Sequence, residues 1–203
     1  MNRKLIIAVL GTLLVLAIVT MSKAADFSAD LVQNMGSVQM KGKINISGAN
    51  ARTEAQMGSQ KLLTIVRGDR GVVYLVNPAG KSYSEMRIPK QRQAYDVALT
   101  EKKLASMATI KKLGSEKVNG YVCEKTLFTF KDKKRGTMTT WVSKKLGYPV
   151  KTETISTAGK FAIQLNNIKI GKQPASLFEV PSGFKKTVMQ RPVALPQGTQ
   201  PNK

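Results

Sequence analysis

The stretch WVSKKLGYPVKTE, residues 141–153, decides the fold class. Trp141 and Val142 end an alternating run, and residues 143–147 carry two lysines and a glycine, as is typical of a turn. Pro149 then opens a second alternating run, at a place where the missing N–H of proline does least harm to a strand. The stretch therefore predicts a β-hairpin, and the question is what kind of sheet it belongs to.

The same alternation of apolar and polar residues runs along most of the chain. Six short runs lie between residues 27 and 86, separated by tight turns such as GDRG at 68–71. More runs follow residue 115, the first two joined by Asn119-Gly120, a strong hairpin turn. The sequence therefore predicts a mainly β protein, an antiparallel meander of about eleven strands, which must curl at that size.

Helical patterns are few. Tyr95, Leu99 and Met107 recur at a helix-like spacing and predict one helix at roughly 92–106. A short helical turn is expected within PASLFEVPSGF, residues 174–184. One helix of this length is too little to cover so many strands, which leaves room for a cavity between sheet and helix.

The N-terminus has the features of a secretory signal peptide. Arg3 and Lys4 precede an apolar run, 5–19, that is shorter than the roughly 20 residues needed to span a bilayer. Ser22-Lys23-Ala24 then places small residues where a signal peptidase reads; the alternative is an uncleaved membrane anchor. We expect a signal peptide at 1–24, one β domain at 25–186, and a disordered tail rich in Pro, Gln and Thr at 187–203.

The chain is strongly basic. It carries 33 Lys and Arg against 12 Asp and Glu, a net charge of +21, of which residues 1–24 contribute three. Such a surface attracts polyanions, including phospholipid head groups, acidic proteins and nucleic acid, unless the lysines serve solubility alone. Phe128 and Phe130 beside the basic run 131–135 would suit base stacking, but an inward core pair next to a solvated turn explains them better. We expect no nucleic-acid partner, because an exported domain meets little nucleic acid.

The residue types that most catalytic and metal sites require are missing. There is no histidine, which removes Ser-His-Asp and Cys-His catalysis and most zinc sites. The single cysteine, Cys123, lies mid-strand in YVCEKTLF and is expected to be a small buried apolar residue rather than a reactive thiol. We therefore expect no enzymatic activity, no catalytic residues, no metal site and no cofactor.

Three stretches in the later half together resemble a known group of proteins. They are the hairpin Val118-Asn119-Gly120-Tyr121 with Cys123 just after it, the hairpin from Trp141 to Gly147-x-Pro149, and the closing LFEVPSGF at 177–184. In this order and spacing they resemble the LolA/LolB-like superfamily of periplasmic proteins. Within it, the match is closest to an uncharacterised domain-of-unknown-function branch from Gram-negative bacteria. The resemblance covers most of residues 26–186.

The resemblance implies a half-open antiparallel β-barrel whose apolar concave face is covered by one or two short helices. It also implies a cargo, the acyl chains of lipoproteins or related lipids, held in an apolar cavity without a catalytic site. On this basis, the lipid-binding candidates are Trp141, Phe161, Ile163, Leu165, Met40 and Ile44, with Trp141 pointing into the curled sheet. Lys144 and Lys145 are the candidates at the rim, where the anionic head group of a bound lipid would meet them.

The sequence thus predicts a monomeric periplasmic binding or carrier protein that shelters a lipid or acyl group. The alternative is a non-enzymatic interaction module, whose basic face docks an acidic partner or an anionic membrane surface. Lipid that co-purifies with the protein would favour the first function. Salt-sensitive binding to anionic vesicles without lipid extraction would favour the second.

Overall fold

The computed structural model describes residues 25–58, 60–88 and 105–187. The predicted signal peptide at 1–24 and all but the first residue of the predicted tail at 187–203 lie outside the described residues, so these boundaries stay predictions. Most of the predicted helix at 92–106 also lies outside them, and residues 105–107, at its end, are helical. Nowhere in the described ranges is there a helix with the length and apolar character needed to cross a membrane.

Besides the helical residues 105–107, the described residues form twelve β-strands and one short 3₁₀ helix (Ala175–Phe178). Eleven of the strands correspond to alternating runs of the sequence. One of these, the strand at Ala108–Val118, begins well before the run predicted after residue 115. The twelfth strand is a pair of lysines, which alternation could not reveal. The strands are β1 (Phe27–Met35), β2 (Val38–Ser47), β3 (Asn50–Met57), β4 (Gln60–Arg67), β5 (Val72–Asn77), β6 (Ser82–Arg87), β7 (Ala108–Val118), β8 (Tyr121–Phe130), β9 (Thr137–Ser143), β10 (Tyr148–Ser156), β11 (Gly159–Ile170) and β12 (Lys185–Lys186).

All twelve strands belong to one sheet, in the order β12-β6-β5-β4-β3-β2-β1-β11-β10-β9-β8-β7. β1–β6 and β7–β11 are each an antiparallel meander, and the pairing of β1 with β11 joins the two. β6 and β7 follow each other along the chain but lie near opposite edges of the sheet. The sheet is not closed, since β7 is its last strand within the described part of the chain.

The hairpin predicted at 141–153 is confirmed. β9 ends at Ser143, and β10 begins at Tyr148 with Pro149 as its second residue. The intervening turn folds Leu146 back into the core, where its side chain is fully buried. The turn is therefore part of the packed structure as well as a connection between two strands.

The sheet curls on itself. Asn119, in the turn between β7 and β8, donates a side-chain hydrogen bond of 2.6 Å to the main-chain carbonyl of Leu165 in β11. β9 and β10 lie between β8 and β11 in the sheet, and neighbouring strands are about 4.8 Å apart. A direct hydrogen bond across them requires the sheet to bend. The predicted fold class, a mainly β half-open antiparallel barrel, is confirmed.

Cross-strand pairing assigns each residue to one of two faces of the sheet, because directly paired residues project to the same side. One side carries Phe27, Leu31, Ile44, Ile163 and Leu165, each 4% exposed or less. These residues belong to the main hydrophobic core, and we call this side the apolar face. The apolar residues that alternate in the sequence are therefore the residues that the fold buries on this side of the sheet.

A second, smaller core lies on the opposite face, beneath residues 172–187, which we call the C-terminal segment. Leu63 and Ile65 of β4 pack there with Phe178 of the short helix. β12, at the end of this segment, then pairs in parallel with β6. β4 is consequently covered on both faces, which explains why both of its alternations are apolar.

Candidate functional site on the apolar face

Five of the six lipid-binding candidates lie together on the apolar face: Met40, Ile44, Phe161, Ile163 and Leu165. β1 connects them, since its residues pair with β11 on one side and β2 on the other. Met40, Ile44, Ile163 and Leu165 are buried, and Phe161 is half-buried against the main core, to which Ile44, Ile163 and Leu165 belong. Alternation predicts one shared side for Met40 and Ile44 and one for Phe161, Ile163 and Leu165, and the pairing through β1 joins the two groups. Their role in lipid binding stays a prediction.

Trp141 belongs to the same main core as Ile44, Ile163 and Leu165, but the register assigns it to the other face of the sheet. It pairs with Lys125 of β8 and Lys151 of β10, whereas Thr140 shares the apolar face with Thr152 and Ile163. The register therefore places Trp141 on the opposite side of the sheet from Ile163. The side chain is 4% exposed and part of the main core, so it is buried as expected, but from the other side.

Polar and cationic groups surround the Trp141 ring. The ammonium groups of Lys125 and Lys151 lie 4.9 and 4.6 Å from the ring centroid, at cation–π distance. The indole Nε1 donates a hydrogen bond of 2.9 Å to Glu116 Oε2. This bond, together with Lys125, lowers the pKa of Glu116 below its ordinary value. Trp141 thus has a complete set of partners from the chain itself.

Gln33 is a polar residue on the apolar face that the sequence reading did not single out. It pairs with Ile163 on one side and Met40 on the other, and it is 2% exposed. Its Oε1 atom is buried and has no hydrogen-bond partner among the described residues. An unpaired buried acceptor costs about 1–3 kcal/mol, and a donor that reached this oxygen would remove that cost. The signal was available, because Gln33 continues the alternation Phe27, Ala29, Leu31.

Large and small side chains are mixed along the apolar face. Gly42 lies opposite Leu31 of β1 and Ala55 of β3, and Thr53 stands opposite Ile44. Alanine and threonine fill less of the space over a curved sheet than leucine or phenylalanine would, whereas at Gly42 the main chain of Glu54 and Ala55 occupies the place of a side chain. The face therefore combines an apolar surface with positions of low side-chain volume.

Lys144 and Lys145, the rim candidates, lie in the turn between β9 and β10 and are exposed. Lys144 Nζ forms a 2.8 Å ion pair with Glu124 Oε1, and the Lys144 side chain is 81% exposed. This pairing raises the pKa of Lys144 and lowers that of Glu124. Both lysines are open to anions, and their role at a lipid head group stays a prediction.

A cavity of about 560 Å³ lies elsewhere, between the opposite face and the C-terminal segment. Seven of its ten lining residues have polar or charged side chains: Asp26, Ser47, Asn50, Arg67, Lys172, Gln173 and Glu179, beside Pro174, Ala175 and Phe178. Asp26 accepts hydrogen bonds from Ser47 Oγ and the Gly48 N–H, and Arg67 is paired with carboxylates. These charged and amide groups do not suit a hydrocarbon chain.

The described residues offer little for metal or thiol chemistry. No three of their His, Cys, Asp or Glu side chains gather as a metal site would require. Cys123 is fully buried, as predicted, and burial raises the pKa of its thiol. A buried protonated thiol is a poor nucleophile.

Comparison with protein families gives one match. A family model described as a domain of unknown function, DUF4412, matches residues 28–148, which is more than half of the chain. It runs from β1 to the start of β10, and it includes the first of the three stretches quoted above and all of the second except Pro149. The match agrees with the domain-of-unknown-function branch predicted from the sequence. The curated proteins contain no match to this chain.

Comparison with solved structures shows the fold. An uncharacterised conserved protein from Thermus thermophilus is 11% identical, with a TM-score of 0.60 over 88% of this chain and 99% of that one. MucB in the MucA/MucB complex of Pseudomonas aeruginosa is 16% identical, with a TM-score of 0.54 over 79% of this chain and 58% of that one. A LolA superfamily protein from Nitrosomonas europaea, NE2245, matches at 9% identity and a TM-score of 0.34, over 78% of this chain and 90% of that one. At these identities, the first two likenesses show a shared fold and nothing finer.

Proposed function

We propose that the chain, which belongs to the family of domains of unknown function DUF4412, is a non-enzymatic binding protein that shelters a lipid or acyl group. The hydrocarbon would lie along the apolar face, against the five candidates that the register brings together. One observation carries the proposal: this buried apolar face presents the unpaired Oε1 of Gln33. A ligand that combines hydrocarbon with a hydrogen-bond donor suits both features.

The energetics support an acyl ligand. Each methylene that leaves water contributes about 0.8 kcal/mol, so a chain of ordinary length is held without any polar contact. A donor that reaches Gln33 Oε1 also removes the cost of leaving a buried carbonyl unpaired. Binding would therefore draw on both the hydrocarbon and one polar group near it.

We further propose that the protein acts in the periplasm as a monomer, after removal of residues 1–24. The N-terminal pattern of basic residues, apolar run and small residues supports export. Lys144 and Lys145 would attract an anionic head group and raise the rate of encounter. No step of this function needs a metal or a cofactor.

Extraction of the purified protein tests the proposal directly. The full chain is produced in a Gram-negative host, extracted with organic solvent and examined by mass spectrometry, in parallel with displacement of a fluorescent fatty acid. We expect a co-purifying lipid and saturable displacement. An empty extract together with no displacement would contradict the lipid-binding function.

A matched pair of variants locates the site. Phe161→Lys places a charge on the apolar face and is expected to abolish displacement of the fluorescent fatty acid, because a buried ammonium would have to lie against hydrocarbon. Ile155→Lys makes the same change at a residue that is 53% exposed on the opposite face and should leave displacement unchanged. Thermal melting checks that both variants are folded. Equal loss in both would contradict this location.

The second candidate function is a non-enzymatic interaction module that docks an acidic partner or an anionic membrane surface. The net charge and the lysines of β7, Lys111, Lys112 and Lys117, favour it, because all three are exposed. A protein of similar fold, MucB, has been solved in complex with another protein, MucA. Salt-sensitive binding to vesicles of phosphatidylglycerol, without lipid extraction, would support this candidate over the first.

A further inference from the structure

The two edges of the sheet are treated differently by the chain. At one edge, β12 of the C-terminal segment pairs with β6, so the protein covers this edge with its own backbone. At the other edge, β7 pairs with β8 and is the last strand in the described part of the chain. The outward N–H and C=O groups of such a strand are a template for pairing with another segment.

β7 is exposed to an unusual degree for a strand of this length. Its nine consecutive inner residues, 109–117, are all exposed, and only Ala108 and Val118 at its ends are buried. Ile110 and Leu113 are among them, at 39% and 42% exposed, and Val122 of the adjoining β8 is 68% exposed. Apolar side chains therefore stand beside a backbone edge that no other strand of the described residues covers.

The positive charges of this edge disfavour pairing with a second copy of the same basic strand. Lys111 and Lys112 are adjacent, so they project to opposite faces of β7, and Lys117 follows near its end. The turn after β8 adds Lys131, Lys133, Lys134 and Arg135, and the Lys131 N–H donates to the Met107 carbonyl just before β7. Two copies of so basic an edge repel each other, whereas a strand with acidic side chains is attracted.

We propose that β7 docks an extended acidic segment of a partner protein, which adds to the sheet as a further strand. Backbone hydrogen bonds would hold the segment, carboxylates on its two faces would meet Lys111 and Lys112, and an apolar side chain would contact Ile110. The register shift between Lys112 and Ser115, with Gly114 at φ +90°, interrupts the edge and places docking on residues 109–113. This inference rests on the second candidate function and names its partner chemistry.

A membrane surface is the weaker match to the same edge. Phospholipid head groups would meet the lysines, but hydrocarbon offers no hydrogen bonds to the open N–H and C=O groups of a strand. An acidic strand satisfies the charges and the backbone together. Glu116, the one acidic residue of β7, is already bonded to Lys125 and Trp141, so it does not oppose an acidic ligand at the edge.

Binding of a synthetic peptide tests the inference. The probe is a fluorescein-labelled peptide of repeated Val-Glu-Glu triplets, which as a strand carries carboxylates on both faces. It is titrated with the full chain and followed by fluorescence anisotropy. We expect saturable binding that Lys111→Glu/Lys112→Glu weakens about tenfold or more. Lys43→Glu/Lys160→Glu makes the same charge change at exposed positions of β2 and β11 and should weaken binding far less. Equal weakening by the two double variants would overturn the inference.

Two further readouts separate strand pairing from general attraction. The same peptide N-methylated at alternate residues keeps its charge but cannot pair with an edge strand, and we expect it not to bind. Amide hydrogen exchange within residues 109–113 should slow only with the unmethylated peptide. Equal binding of both peptides would overturn the inference. Binding of the protein to phosphatidylglycerol vesicles but not to the peptide would also overturn the inference. That outcome would still agree with the second candidate function, in which the basic face docks an anionic membrane surface.

Discussion

Arg67 and Asp69 form a bidentate ion pair at the end of β4. Arg67 Nη2 lies 2.7 Å from Asp69 Oδ2, and Arg67 Nε lies 2.8 Å from Asp69 Oδ1. Nη1 of the same guanidinium donates to Glu179 of the C-terminal segment. The Arg67 side chain is only 9% exposed. One side chain thus connects the turn after β4 to the segment that covers the second core and supplies β12.

Removing this connection should destabilise the protein moderately. We expect Arg67→Met to lower the free energy of unfolding by about 1–2 kcal/mol, since the hydrogen bonds are lost but Asp69 and Glu179 can return to water. Unfolding in urea measures the change. Lys61→Met, at an exposed position of the same strand, is the control, with an expected change within about 0.5 kcal/mol. Similar losses in both variants would contradict the role assigned to Arg67.

The Arg67–Asp69 pair should also make stability depend on pH in acid. The hydrogen bond from Arg67 holds the pKa of Asp69 below its ordinary value of 3.8. The pair therefore stabilises the folded state fully above that value, and its contribution is lost as the pH falls through the lowered pKa. We expect Asp69→Asn to reduce stability at pH 5 and to flatten its decline between about pH 5 and pH 2. Parallel pH profiles of the variant and the unaltered protein would contradict this.

Trp141 should report on folding and not on an acyl ligand. It is the single tryptophan of the chain, so intrinsic fluorescence observes it alone. We expect a blue-shifted emission that moves to the red on unfolding, and a loss of about 1–2 kcal/mol in Trp141→Phe from the missing N–H bond and weaker cation–π contacts. Fatty-acid displacement should be unchanged in this variant, because the register places Trp141 away from the apolar face. If a folded Trp141→Phe variant no longer bound the fluorescent fatty acid, Trp141 would have to be part of the lipid site.

Gly42 should not tolerate a side chain. A Cβ at this position would overlap the main-chain carbonyl oxygen of Glu54 and lie 2.8 Å from the Ala55 Cα, so β2 and β3 would have to separate. We expect Gly42→Ala to cost about 3 kcal/mol or more in urea unfolding. Gly171→Ala is the control, since no heavy atom lies within 4 Å of its Cβ position. A stability of Gly42→Ala close to that of the control would contradict the close approach of the two strands.

The candidate site shows how far local patterns reach. Phe161, Ile163 and Leu165 were placed on one face by their alternation alone, because successive side chains of a strand point to opposite sides. Alternation does not decide the side of Trp141, because Val142 beside it is also apolar, and its place inside the curled sheet is implied only by the resemblance. Only the pairing of Trp141 with Lys125 and Lys151 decides the side.

The sequence by itself determined eleven of the twelve strands, their turns and the antiparallel meander, because these depend on alternation and on turn residues such as Asn119-Gly120 that act over a few neighbouring positions. Tertiary structure alone decided the pairing of β1 with β11, the curl that brings Asn119 to Leu165, and the cover of β4 on both faces. It also left Gln33 Oε1 without a partner among the described residues. The physical reason is that a period of two residues defines two faces but not which of them the folded chain encloses.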